Sequence, residues 1–146
     1  MNIRTGLVIF AVALIQGGVP AIADPLITDE EAMLPTPSAV KNARGISRGP
    51  SIRYEMPEPV AAHKPFTFKI EFEPHGKATI DPAKVQVTYL KLPSIDLTTR
   101  IRPFITHKGI DFPMAEVPAG RHPLRIDIED SSGRTSQATL VLVAEK

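Results

Sequence analysis

The side chains best suited to metal or acid–base chemistry are four histidines (His63, His75, His107, His122) and, beyond residue 23, three methionines (Met33, Met56, Met114). Their spacing is uninformative: no H-x-H, H-x-x-H, M-x-x-M or H-E-x-x-H pattern occurs, and with no cysteine there is neither a thiolate ligand nor a thiol nucleophile. No G-x-S-x-G is present to activate a serine, and Ser131 and Ser132 fall in a turn-forming stretch. The chain is therefore expected not to be an enzyme and to carry no cofactor. Copper held by His75, His107, His122 and Met114 stands as the alternative, because imidazole and thioether suit that ion.

Other chemistries find less. Asp111, Asp127, Glu129 and Asp130 are carboxylates, but no twelve-residue acidic loop gathers the six or more oxygens that calcium needs. Sugar binding normally uses exposed aromatic platforms, and the chain has no tryptophan and two tyrosines. Small basic clusters remain at Arg100-Ile101-Arg102 and Arg121-His122. With His107 and Arg134 they form a candidate contact set for an acidic protein partner: Arg100, Arg102, His107, Arg121, His122 and Arg134.

The elements that would position these residues are read from hydrophobic periodicity. From Asp24 to Pro50 the chain lacks aromatic residues and is rich in turn formers, which predicts a flexible leader. Within it, Thr28-Asp29-Glu30-Glu31 has the composition of a helix start, and any such helix should end before Pro35. From Ser51 onward the period becomes two. Phe66, Phe68, Ile70 and Phe72 alternate with polar residues, as do Val85, Val87 and Tyr89, and Leu124, Ile126 and Ile128. Thr139–Val143 is apolar on both faces, and Asp130-Ser131-Ser132-Gly133 supplies a turn that should pair these last two strands antiparallel. Ile95, Leu97 and Ile101 suggest a further element with a short helical piece, and Gly109–Pro113 a short strand.

Proline punctuates these runs, arguing for short strands over long helices. The prediction is all-β: a single immunoglobulin-like antiparallel β-sandwich of about seven strands over residues 51–146, preceded by the flexible leader at 24–50. In Gly49-Pro50-Ser51-Ile52, Pro118-Ala119-Gly120-Arg121-His122 and Asp130-Ser131-Ser132-Gly133-Arg134 the chain resembles small exported bacterial immunoglobulin-like or fibronectin-III-like domains, over residues 49–146. The cysteine pair and tryptophan of antibody domains are missing. Such a resemblance implies an architecture and no activity.

Residues 1–23 have the layout of a secretory signal peptide. Arg4 precedes the uncharged run Leu7–Ile15, a breaker stretch follows, and Ala21-Ile22-Ala23 fits the small-x-small cleavage pattern. The apolar run is shorter than the roughly 20 residues of a membrane span, so no span is expected after cleavage. The lack of disulfides favours the bacterial periplasm over a eukaryotic extracellular space. Cleavage removes one basic and no acidic side chain, leaving 16 of each sign, so the electrostatic case for nucleic acid disappears. The expected product is a periplasmic, non-enzymatic binding or accessory module whose partner is another periplasmic or envelope protein. The intact mass of the exported protein should correspond to a chain beginning at Asp24; a mass that retains residues 1–23 would contradict this.

Overall fold

The computed structural model describes residues 25–38, 40, 43–44, 48–55 and 59–146, so the expected signal peptide lies outside the described residues. Two sheets face each other. One has the order β2 (Ser51–Tyr54), β4 (Phe66–Glu73), β8 (Gly109–Ala115), β7 (Ile105–Thr106). The other has the order β1 (Ala43–Arg44), β10 (Thr135–Glu145), β9 (Gly120–Glu129), β5 (Gln86–Tyr89), β6 (Ile95–Asp96). A short β3 (Val60–Ala61) lies parallel to the end of β10. Taken in chain order, these sheets reproduce the A-B-E-D and G-F-C-C′ arrangement of an immunoglobulin sandwich, as the strand periodicity predicts.

Alternation builds the core. Phe68, Ile70 and Phe72 from β4 and Ile110 and Phe112 from β8 face Val87 and Tyr89 from β5, Leu124, Ile126 and Ile128 from β9, and Leu140 and Leu142 from β10. All are buried, and they occupy the space that a disulfide and tryptophan fill in antibody domains. The β9–β10 hairpin pairs antiparallel as expected, with Thr135 opposite Glu129 and Ala144 opposite Gly120. Strand β8 runs two residues past Pro113, where the sequence pattern ends it. Phe68 pairs with Phe112 but Phe66 pairs with Ala115, so two residues of β8 oppose one of β4, and the proline sits in this bulge.

The gap beside β6 is closed by α2 (Thr98–Ile101) and the 3-10 turn Arg102–Phe104. Thr98 acts as the latch: its hydroxyl accepts from the Val87 amide at 2.9 Å, while the Leu97 amide donates to the Val87 carbonyl at 2.9 Å. These bonds occupy the backbone of β5 where β6 no longer reaches it. Ile101 is buried, and Phe104 stacks on Phe112 with centroids 4.3 Å apart.

The leader departs from expectation. Leu26 and Ile27 are fully buried and belong to the core, and their amides both donate to the carbonyl of Glu116 at 2.9 and 3.3 Å. Thr28 caps α1 (Asp29–Met33) in a reciprocal capping box with Glu31, and the helix ends before Pro35 as expected. The described leader is thus a strap packed on the sandwich. The prediction of flexibility weighed the low apolar content of the whole stretch, whereas two adjacent aliphatic residues are enough to anchor its first part.

Gly109 opens β8 with φ +150°, and a Cβ there would fall on the Ile70 carbonyl oxygen of β4. Gly133 has φ +74° but open space around it. Gly109→Ala should therefore cost at least about 2 kcal/mol in urea denaturation, and Gly133→Ala about 1 kcal/mol. Equal losses would mean that backbone conformation, not the close approach of β4, governs Gly109.

Candidate functional site

The loop Pro74–Val85, the β7–β8 turn at His107-Lys108 and the β9–β10 turn at Asp130–Arg134 meet at one end of the sandwich. Asp130 ties two of them. Its side chain is fully buried; one oxygen accepts from the amides of Ser132 (2.9 Å) and Arg134 (3.0 Å), the other from Arg134 Nε (2.9 Å). Burial alone would raise its pKa, but those amides and the guanidinium outweigh it and hold the carboxyl below its ordinary value. Arg134 Nη2 then donates to the His75 carbonyl at 3.1 Å. The Ser131 amide donates to the Thr79 carbonyl at 2.8 Å, and the Thr79 amide returns a bond to Ser131 Oγ at 3.1 Å. Ile80 bridges Asp130.

This braced end carries the exposed side chains of His75, Lys77, His107 and Lys108. Of the acids near them, Glu73 pairs with Arg53 at 2.7 Å, and Asp81 Oδ1 accepts from the Ala83 amide at 2.9 Å. Lys77 and Lys108 form no ion pair among the described residues. What this end offers a partner is a braced backbone carrying the exposed cations Lys77 and Lys108.

The opposite end is organised around buried polar groups. Tyr89 on β5 and His122 on β9 meet in the core, Tyr89 Oη lying 2.8 Å from Nδ1. The other ring nitrogen, Nε2, is 2.7 Å from the Pro118 carbonyl, which can only accept. Nε2 therefore carries the proton, and the Tyr89 hydroxyl donates to Nδ1. Burial lowers the His122 pKa, against the Pro118 bond that raises it, with Lys91 lowering it further; burial likewise pushes the Tyr89 phenol well above its ordinary value.

Lys91, also buried, sends Nζ to the carbonyls of Ala32 (2.8 Å) and Leu34 (2.9 Å) and to Thr36 Oγ1 (3.0 Å), and lies 5.2 Å from the Tyr89 ring centroid. Burial lowers its pKa. Arg100 of α2 grips Glu31 through two bonds of 2.9 and 3.0 Å and donates to the Leu26 carbonyl at 2.6 Å. The Arg100 bond is the chief reason the Glu31 carboxyl titrates below its ordinary range.

These positions revise the contact set expected from sequence. Arg100 is committed to the leader, His122 is sealed in the core rather than solvated at a strand edge, and Arg134 braces the loops. Arg102 Nη1 donates to the Pro82 carbonyl at 2.8 Å but stays exposed. His107 and Arg121 are exposed, though on different parts of the surface: His107 in the braced loops, Arg121 at the start of β9.

The metal set is divided. His75 and His107 lie at the loop end, whereas His122 and Met114 lie toward the other end of β9 and β8, His122 with both nitrogens bonded. Among the described residues no three histidine, aspartate or glutamate side chains gather as a metal site. Three of the four calcium candidates likewise serve locally: Asp127 holds Arg125 and Gln137 at 2.9 and 2.7 Å, Glu129 pairs with Lys84 at 3.5 Å, and Asp130 braces the turn, while Asp111 is exposed on β8.

Periodicity misses the side chains that matter most here. Lys77 and Lys108 stand far apart in sequence and reach the same end of the sandwich only through the fold. Lys91 has one local signal, a cation directly after the apolar Tyr89-Leu90 and before a proline. No family model, no curated protein and no solved structure matches the chain.

Because the folded pKa of His122 lies below the unfolded value of 6.5, the unfolded chain takes up the proton first, and stability should fall as pH drops below 6.5. Glu31 and Asp130 are depressed below 4.5 and 3.8, so their stabilisation is present above those values and is lost at still lower pH. Urea midpoints followed from pH 8 to pH 3 should decline in two stages. His122→Gln should flatten the first and leave the second; an unchanged first stage would assign it elsewhere.

Proposed function

We propose that this chain is an exported, periplasmic, non-enzymatic module that binds another envelope protein through the sandwich end formed by residues 74–85, 107–108 and 130–134. The observation that carries this reading is the bracing by Asp130, Ser131 and Arg134, which joins the β9–β10 turn to the loop that crosses from β4 to β5 in one ordered surface. A surface ordered before binding loses less conformational entropy on association. Its exposed Lys77, Lys108 and His107 fit an acidic patch on the partner.

Export rests on the pattern of residues 1–23. Among the described residues no helix is long and apolar enough to cross a membrane. An enzymatic reading finds its best acid–base pair in Tyr89 and His122, but these are sealed between the sheets, where no substrate proton is within reach.

Charge reversal at three exposed positions, Lys77→Glu, His107→Glu and Lys108→Glu, should leave the urea midpoint within about 0.5 kcal/mol of wild type, as surface changes usually do. In intact cells it should abolish the crosslinks that the wild-type protein forms with envelope proteins. Undiminished crosslinking by the triple variant would exclude this end as the contact surface.

A further inference from the structure

We infer that the surface beneath residues 25–36 is a peptide-docking groove occupied by the chain's own leader, and that its ligand in trans is an acidic peptide of a partner protein. The peptide would carry two adjacent aliphatic side chains and, four residues after the second, a glutamate in one turn of helix. The sandwich supplies the receptor. Sockets for Leu26 and Ile27 open beside Glu116, Arg100 presents its guanidinium fork, and Lys91 presents a buried ammonium. The leader supplies the complement: Asp29, Glu30 and Glu31 with no basic residue between 25 and 36.

The leader binds as a ligand does. Among the described residues three backbone bonds join it to the sandwich, from the amides of Leu26 and Ile27 to Glu116 and from the amide of Leu92 to Pro35. Side chains of the sandwich add further contacts: Lys91 caps the carbonyl end of α1, Arg100 holds Glu31 in a bidentate pair, and His63 Nε2 lies 3.7 Å from Asp29. A five-residue helix has no stability of its own, so the conformation of α1 is conferred by the groove. Its outer side, with Asp29, Glu30 and the 83% exposed Met33, faces solvent. Leu26 and Ile27 join the core cluster at its edge, and the other buried members of that cluster come from both sheets and their connections. Charge complementarity selects the occupant, since a groove bearing Lys91 and Arg100 disfavours basic or neutral peptides.

The test uses the full chain. Leu26→Asp with Ile27→Asp unseats the leader, and a fluorescent peptide of residues 25–36 is the probe. The double variant should keep β-sheet circular dichroism and bind the probe saturably, with wild type binding at least about tenfold more weakly because its groove is filled. Adding Arg100→Gln should weaken the double variant roughly tenfold, the effect of losing a charged hydrogen-bonded pair. A folded double variant that does not bind, or that binds without regard to Arg100, overturns the inference. Should the double variant unfold, hydrogen exchange on wild type decides: leader amides that open independently of β9 and β10 support the groove, and amides that open only with those strands overturn it. Exchange of leaders between wild-type copies, seen as a mixed-label dimer, would assign the groove to a second copy and overturn the assignment to a partner.

Discussion

Two sheets with no covalent tie between them are held by the apolar layer they share, and the rest of this structure follows from the need to seal that layer. Phe68, Ile70 and Phe72 meet Tyr89, Leu124 and Ile126 across the interior, and each fully buried side chain of this size contributes about 1.5–3 kcal/mol over its exposed state. The layer is vulnerable where the sheets end. On the β6 side α2 lays Ile101 against it, and Thr98 occupies the backbone groups that β6 leaves unpaired. At the end carrying Glu116 and Val117, Leu26 and Ile27 serve as the seal.

Sealing a core with short connections forces polar groups inside; the buried Thr88 hydroxyl has no hydrogen-bond partner among the described residues, whereas Asp130, His122 and Lys91 are each satisfied in a different way. Asp130 is surrounded by amides and a guanidinium, which makes its turn rigid. His122 is held neutral, one nitrogen donating and the other accepting, so its burial costs little until acid supplies a proton. Lys91 has no carboxylate partner among the described residues and relies on two carbonyls, a hydroxyl and an aromatic face. That arrangement favours the charged form less than an ion pair would, and it depends on the leader being in place. The rigid end and the end closed by the strap thus owe their different mechanical character to which groups surround the buried charge.

The strands were legible in the sequence wherever one face is buried and the other wet. Phe66–Glu73 and Leu124–Glu129 alternate because water lies on their outer side, and Asp130–Gly133 marks the hairpin between β9 and β10 through residues that a tight turn requires. Legibility fails where tertiary contact overrides local pattern. Pro113 reads as a terminator, yet a bulge accommodates it; Val60–Ala61 and Ile105–Thr106 are too short to show any period. Candidate site residues were harder still. Arginine is conspicuous in sequence whether it faces solvent or braces a loop, and only the partners of Arg100 and Arg134 reveal that they are engaged within the chain. The basic surface that remains is assembled from Lys77 and Lys108, which no spacing rule connects.

The leader shows why composition alone misjudges such a segment. Averaged over residues 24–50 it has too little apolar surface to offset its ordering entropy, and by that measure it should be mobile. Ordering is decided locally, however. Leu26 and Ile27 bury completely, the capping box of Thr28 and Glu31 satisfies the first turn, and Glu31 simultaneously meets Arg100. Each contact supports the next, because Glu31 reaches Arg100 only when the turn is formed, and the turn forms only when Leu26 and Ile27 are seated. A short segment held by such mutually dependent contacts is released as a unit when one of them is lost. Cooperative attachment of this kind, at the edge of a core whose other members span both sheets, is the physical basis for treating the strap as a ligand and the surface under it as a site.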